Sequence, residues 1–391
     1  MLCTNAARAG VWGADPTIGV SGAYGSNPVL LDLPHTSETD AALLIDSPIT
    51  YQGDALKLSF LPSFRLSDTR SYTSLNSNYL HLTASGEFDA DRNTLKLSAG
   101  ASRDSSLYQN YLVNGETAVR RDGLTADLGY TRHLTERLDA DLDVNTVHVR
   151  YGASTGVASL VDYRYSTVAP DLSWQGSEHD RFTLSVSGGQ YDSLDGRTRS
   201  RNLQGQLGYD RSLSEIWSLD LTAGYTRQQN RLDLLVPELV FIPGKGFVII
   251  EVPVRIESQV DTPVYLAKLT RSGERLTLNL SASRQETPTG FAFLSRQTTY
   301  GLQLSYALSE RWSASLKEYW QRAHNPGLQG QFVDQTANSV AVSCTYQLSE
   351  HYTLDLALSR VDLTYSTLDL HVANNQVTLT LNYKFSHIGL Q

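Results

Sequence analysis

Asp139, Asp141 and Asp143 alternate with Leu138, Ala140, Leu142 and Val144. In an extended strand that spacing projects three carboxylates from one face. Such a stripe attracts cations; a wall whose charges cancel against neighbouring strands is an equally good reading. Other charged residues alternate with apolar ones in the same way: Asp127, Asp220 and Asp355 on one side of the balance, Lys57, Lys96, Lys268, Lys317 and Lys384 on the other. Constellations for covalent chemistry are missing. Gly19-Val20-Ser21-Gly22-Ala23 breaks the nucleophile-elbow pattern at its last position. Histidines fall singly (His81, His133, His148, His179 and His351 among them), and His81 with Glu87 is best read as a polar pair. No haem, zinc-protease or calcium-loop motif occurs. The sequence predicts no catalytic residue, no metal site and no cofactor.

The elements that must carry these charges are short and amphipathic. Hydrophobic residues make up 40% of the 391, below the roughly 45–50% of an ordinary globular chain. No run approaches the roughly 20 apolar residues of a membrane helix. Tyr (21) outnumbers Phe (10). A large solvent-excluded core needs more aliphatic mass than this, whereas a barrel that is wet inside and faces lipid outside does not. A net charge of -9 argues against a nucleic-acid partner. Cys3 and Cys344 are too few for a disulfide framework, which suits passage through an oxidising periplasm.

Short turn signals recur at Gly53, Ala90, Thr135, Gly176, Ser214, Ser272, Ser309 and Ser349. Four of them read Leu-Thr/Ser-Glu: Leu134-Thr135-Glu136, Leu213-Ser214-Glu215, Leu308-Ser309-Glu310 and Leu348-Ser349-Glu350. The gaps are 37 to 45 residues, with one of 58, and each holds two long strands and a loop. Period-two stretches fill them: Leu95, Leu97 and Ala99; Phe182, Leu184 and Val186; Leu276, Leu278 and Leu280; Val377 through Phe385. A soluble propeller also repeats at about 40 residues, but with four short strands per repeat rather than two long ones. Alternation over about ten residues is the signature of a membrane strand, apolar side to lipid and polar side to lumen. Eight turns join sixteen strands. A first strand near Thr17 to Tyr24 and a last near Asn375 to Phe385 must then pair to close the sheet. The fold class predicted is all-β, a single transmembrane antiparallel barrel of about 18 strands spanning residues 10–386, with both termini periplasmic.

Aromatics next to the turns (Phe88, Tyr130, Trp174, Phe182, Tyr209, Trp217, Tyr306, Trp312, Tyr346, Tyr352 and Phe385) are expected to form the periplasmic girdle. Cys344 continues the apolar face of Val340 and Val342. Arginines at 120, 121, 164, 197, 199, 201 and 227 are expected in outward loops, where they can pair with lipopolysaccharide phosphates. The 58-residue gap contains an apolar hairpin over residues 237–254, with Leu239, Phe241, Lys245, Phe247 and Ile249 near its turn. Greasy on both faces, it is expected to constrict the pore or dock a partner. Ala7-Arg8-Ala9 resembles a signal-peptide cleavage site, making residues 1–9 a remnant. The alternation of Leu379, Leu381, Tyr383 and Phe385 resembles the signal read by the barrel-assembly machinery, leaving 387–391 as a periplasmic tail.

Three features carry a family resemblance: the opening strand Pro16 to Ser21 leading to Ser26-Asn27-Pro28-Val29-Leu30, the hairpin Ser47 to Asp54, and the regular Leu-Ser-Glu hairpins beyond. The chain resembles the outer-membrane barrels grouped as beta-barrel porin 2, which include barrels associated with exosortase and exopolysaccharide gene clusters. The resemblance implies a conduit in the cell outer membrane, among lipid and lipopolysaccharide, with no enzymatic activity. It implies foremost the export port of an exopolysaccharide system, with a periplasmic polysaccharide-export protein as partner. A diffusion porin for small solutes is the alternative, as is a structural barrel that holds a partner through its apolar hairpin.

Overall fold

Period-two alternation without glycine- or proline-rich interruption leaves long stretches no choice but strand. The computed structural model describes residues 10–28, 30, 37–70, 78–105, 119–152, 160–243, 246–290, 294–324, 334–366 and 369–390. Its strands are β1 (Val11–Ala14), β2 (Thr17–Gly25), β3 (Glu38–Asp46), β4 (Ile49–Gln52), β5 (Leu56–Thr69), β6 (Asn78–Ala90), β7 (Asn93–Ser105), β8 (Arg120–His133), β9 (Leu138–Tyr151) and β10 (Tyr163–Gln175). They continue as β11 (Asp180–Ser193), β12 (Thr198–Ser212), β13 (Trp217–Ile242), β14 (Gly246–Ser272), β15 (Leu276–Pro288), β16 (Leu294–Ala307), β17 (Trp312–His324), β18 (Gln335–Gln347), β19 (Tyr352–Tyr365), β20 (Leu370–Lys384) and β21 (Ile388–Leu390). β2, β3 and β5 to β20 pair in succession, and β20 returns to β2 from Thr17↔Lys384 to Gly25↔Gln376, closing an antiparallel barrel of 18 strands. Closure leaves the barrel wall without an edge, the condition for strands to cross hydrocarbon.

All eight predicted turns lie at one end of the barrel. Serine explains the form of four of them. Ser309 Oγ accepts from the backbone N–H of Arg311 and Trp312, and Ser349 Oγ from His351 and Tyr352. Ser214 and Ser177 repeat the pattern. The hydroxyl satisfies N–H groups that a tight turn strips of ladder partners.

At the closure, three chain segments break at one level. Asp15-Pro16 separates β1 from β2, Ser47-Pro48 separates β3 from β4, and Phe385 to His387 separates β20 from β21. Prolines lack the N–H a continuous ladder needs, and the bonds re-form across the break: Asp15 N–H to Pro48 O at 3.1 Å, and Phe385 N–H to Pro16 O at 3.0 Å. Below it β1 pairs with both β4 and β21, so the first and last described strands meet at the short-turn end. Within 387–391, expected as a tail, Ile388–Leu390 form β21, held by Trp12↔Leu390 through Ala14↔Ile388; Gln391 lies outside the described residues. Residues 1–9, with Cys3, lie outside the described residues.

The opposite end departs further from expectation. The connection from β11 to β12 is a tight turn over residues 194–197, with Gly196 at φ 74°. Arg199 and Arg201 are therefore strand residues, as are Arg120, Arg121, Arg164 and Arg227, not loop residues. β13 and β14 run 26 and 27 residues. β12 leaves β13 at Leu232, and β15 leaves β14 at Tyr265, so the upper hairpin stands free as a two-stranded ribbon. Lys245 lies outside the described residues.

Candidate functional site, a bridged lumen

On β11, Phe182, Leu184 and Val186 point outward, and their registered partners Tyr209, Leu207 and Gly205 on β12 share that face. Exposed apolar side chains recur on this face around the sheet: Leu97, Leu124, Leu203, Leu356, Leu379 and others. At the short-turn end the aromatics touch in sequence. Trp174 stacks on Phe182 (5.7 Å) and Trp312 on Tyr346 (4.4 Å), while Phe182 meets Tyr209 (5.1 Å) and Tyr352 meets Tyr383 (4.9 Å) at a tilt. A closed sheet wearing an apolar band and an aromatic girdle is stable only in a bilayer, and closed barrels of this kind are the outer-membrane solution. The chain is an outer-membrane β-barrel.

The other face is polar and concave. Arg181 on β11 reaches Asp139 on β9 at 2.8 Å, over the intervening β10; such a contact is possible only on the inside of the curve. Four of the expected lumen residues, Lys57, Lys96, Asp127 and Asp143, gather around one cavity of about 580 Å³. Both lysines engage the same carboxylate, Glu87. The acidic stripe is unequal. Asp139 is neutralised by Arg181 and bonded to His133, whereas Asp141 accepts from the neutral Thr131 Oγ1 at 2.6 Å. Asp127 accepts from Ser98 Oγ at 2.7 Å and from Asn145. Among the described residues Asp127, Asp141 and Asp143 form no ion pair.

Asp171, which sequence reading passed over, stands directly opposite Asp141 in the β9–β10 register, making an acidic arc over β8 to β10. Its alternation with Leu172 and Trp174 was the available signal. The remaining expected residues sit on other walls. Asp220 lies between Asp210 and Lys268. Asp355 is held by Thr345 and by Asn382 (2.6 Å). Lys268, Lys317 and Lys384 form no ion pair among the described residues. Cys344 is a free thiol on the lipid-facing parity, as expected.

The loop end of the lumen is bridged, and not by the segment the sequence singled out. Above Arg284 the β15–β16 hairpin peels away from β14 and bends inward. Its former outward face packs on the inner face of the facing wall. Leu294, with no exposed surface, enters a cluster with Val149, Tyr163, Tyr165 and Tyr191. Tyr191 OH donates to Thr289 O at 3.0 Å, Gln228 Nε2 to Leu294 O at 3.3 Å, and Val161 N–H to Gly290 O at 2.7 Å. Arg296 donates to Thr262, and Thr226 to Glu286 at 3.5 Å. Gly290 lies so close to Tyr151 that a Cβ there would stand 2.7 Å from its phenolic oxygen, and any larger residue would have to displace the tyrosine. β15 and β9 stand six strands apart, roughly 29 Å along the wall at ~4.8 Å per strand. The hairpin therefore folds inward over β13 and β11 toward β9, a chord across this sector of the lumen only. From the other side, Leu30 packs against Leu363, Tyr365 and Val372.

The β13–β14 ribbon does not enter the lumen. Phe241 and Phe247 meet edge to face at 5.3 Å, yet stay 60% and 70% exposed. Leu239 and Ile249 are equally open, and the segment that folds into the lumen is β15–β16. Excision of residues 234–254, closed by a short Gly-Ser turn, is expected to leave single-channel conductance unchanged in planar bilayers. A clear rise would show that the ribbon obstructs the pore.

No family model matches the chain and no curated relative does, so the resemblance to the beta-barrel porin 2 group gains no support. Solved structures similar to it include Pseudomonas aeruginosa OpdK with vanillate, at 11% identity and a TM-score of 0.47, covering 96% of this chain and 99% of that one. Another is Pseudomonas aeruginosa OccK2 (OpdF), at 10% identity and a TM-score of 0.49, covering 97% and 98%. At this distance the likeness carries no argument about what crosses the barrel.

Proposed function

We propose that the protein is a diffusion channel for small polar solutes across the outer membrane, with its short turns and both termini in the periplasm and its long connections outside. One observation carries this reading: a polar, mixed-charge lumen that is spanned at its loop end by the β15–β16 chord. A hairpin folded inward in this way narrows the mouth, which suits small hydrated molecules. A continuous polysaccharide would need a wider and smoother bore, which is why diffusion is favoured over polymer export. Liposomes carrying the protein are expected to swell in monosaccharides and amino acids and to exclude dextrans. Ready passage of long dextrans would overturn the proposal.

The acidic arc should set ionic preference, because its carboxylates lack the ion-pair partner that Asp139 has. In Asp141→Asn, Asp143→Asn, Asp171→Asn combined, the cation-over-anion permeability ratio from reversal potentials is expected to fall, with conductance retained. An unchanged ratio would mean that Lys57 and Lys96 already cancel the arc.

A further inference from the structure

Above the apolar band, the outer surface of β11 to β14 changes character within a single pleat. On β12 the outward series runs Leu207, Gly205, Leu203, then Arg201 and Arg199; on β13 it runs Leu221, Ala223, Tyr225, then Arg227, Gln229 and Arg231. Two features lie one above the other at this boundary. Below is an apolar trough of about 790 Å³ between Leu184, Val186, Leu203, Leu207 and Tyr225. Gly205, opposite Val186, lines it, and Gly188, opposite Leu203, keeps the wall beside it open; a side chain added at either would meet nothing within 4 Å. Above is a polar groove of about 550 Å³ lined by Arg199, Arg201, Arg231, Gln229, Gln259 and Glu257.

The arginines of this groove are not equivalent. Arg199 is bound by Asp192 at 2.7 Å, Arg231 by Asp233 at 2.8 Å, and Arg227 below them by Asp261 at 2.8 Å. Arg201 forms no ion pair among the described residues, and its cross-strand neighbours are the neutral amides Gln190 and Gln229. An uncommitted guanidinium flanked by two further guanidiniums and by amide donors is a receptor for a phosphoryl oxygen array. Glu257, opposite Arg231, and the paired aspartates keep the groove from attracting anions indiscriminately.

We propose that this face binds a phosphorylated amphiphile of the outer leaflet, its phosphate on Arg201 with Arg199 and Arg231, and one acyl chain in the Gly188–Gly205 trough. Charge alone would take a free phosphate, and the trough alone any acyl chain; their vertical continuity selects a molecule with both. The assignment rests on the loop end facing outward, which labelling Glu251→Cys in intact cells with a membrane-impermeant maleimide establishes independently.

The test measures lipid A retained per barrel after purification from outer membranes in mild detergent, by mass spectrometry of its hydroxylated acyl chains. Arg201→Gln with Arg231→Gln is expected to lower retention roughly tenfold, the effect of losing charge-assisted hydrogen bonds. Gly205→Leu and, separately, Gly188→Leu fill the trough and should do the same, while Arg360→Gln on the far side of the barrel should not. Each variant is first confirmed folded by its heat-modifiable mobility. Binding of purified lipid A, its dephosphorylated form and inorganic phosphate to the delipidated barrel identifies the source: only the first should bind. Retention unchanged in the arginine pair, equal binding of dephosphorylated lipid A, or equal binding of inorganic phosphate would each overturn the proposal.

Discussion

Replacing residues 285–297 with an Asn-Gly turn between the registered pair Arg284 and Thr298 is expected to raise single-channel conductance by roughly twofold or more. The excised segment is the chord together with its last two wall pairs, which Arg296 and Gln297 make with β17, and its remaining anchors are inside the barrel: Leu294 among the tyrosines, Thr289 under Tyr191, Gly290 against Val161. A two-residue turn suits the cut, because Asn-Gly adopts the backbone twist of an antiparallel pair. A milder change tests the same contact. Leu294→Ala removes a fully buried side chain, which costs about 2–5 kcal/mol where a core cannot collapse around the gap. Among the hairpin's described residues Leu294 is the fully buried apolar side chain, so the variant should spend time undocked, seen as added open-channel noise and brief larger-conductance events. Both variants with unaltered currents would show that the chord does not limit flow.

The barrel was legible because its two determinants are written locally. Alternation names the strands, and Ser-Glu turns mark one end, where a hydroxyl captures the orphan N–H groups within three residues of itself. The closing pair Thr17↔Lys384 followed from there being strands left without turn partners. The lumen charges on β5 to β9 were legible for the same reason, since parity fixes facing. The chord was not legible. Nothing in Glu286, Leu294 or Arg296 distinguishes an outward strand end from one that bends inward, and the outcome depends on an opposing wall that carries Val149, Tyr163, Tyr165 and Tyr191. Those lumen-parity aromatics were the one hint. A wet wall has no use for four large buried side chains unless something covers them. The greasy β13–β14 hairpin drew attention instead, because composition reports that a segment is apolar but not where it stands.

Arginine placed on adjacent residues of one strand should separate the two faces of the wall more sharply than any other substitution. Leu356 sits on the outward series of β19 with Leu354 and Leu358, opposite Cys344 and Leu379, and is 43% exposed. Ala357, the next residue, faces the lumen beside Ser343 and Thr378. Four residues above the start of β19 at Tyr352, Leu356 lies well inside the apolar band. A charge held there by the strand cannot reach water except by distorting the bilayer, and Leu356→Arg is expected to cost roughly 2–4 kcal/mol. Ala357→Arg adds the same charge and greater bulk, yet opens into a wet lumen among hydroxyls, so it should be close to neutral. Urea unfolding in vesicles, followed by tryptophan fluorescence, provides both values in one assay. Equal destabilisation would mean that the lumen at this level is dry and packed, and the channel reading would fall with it. A shift confined to Leu356 would show that lipid contacts one face of β19 and water the other.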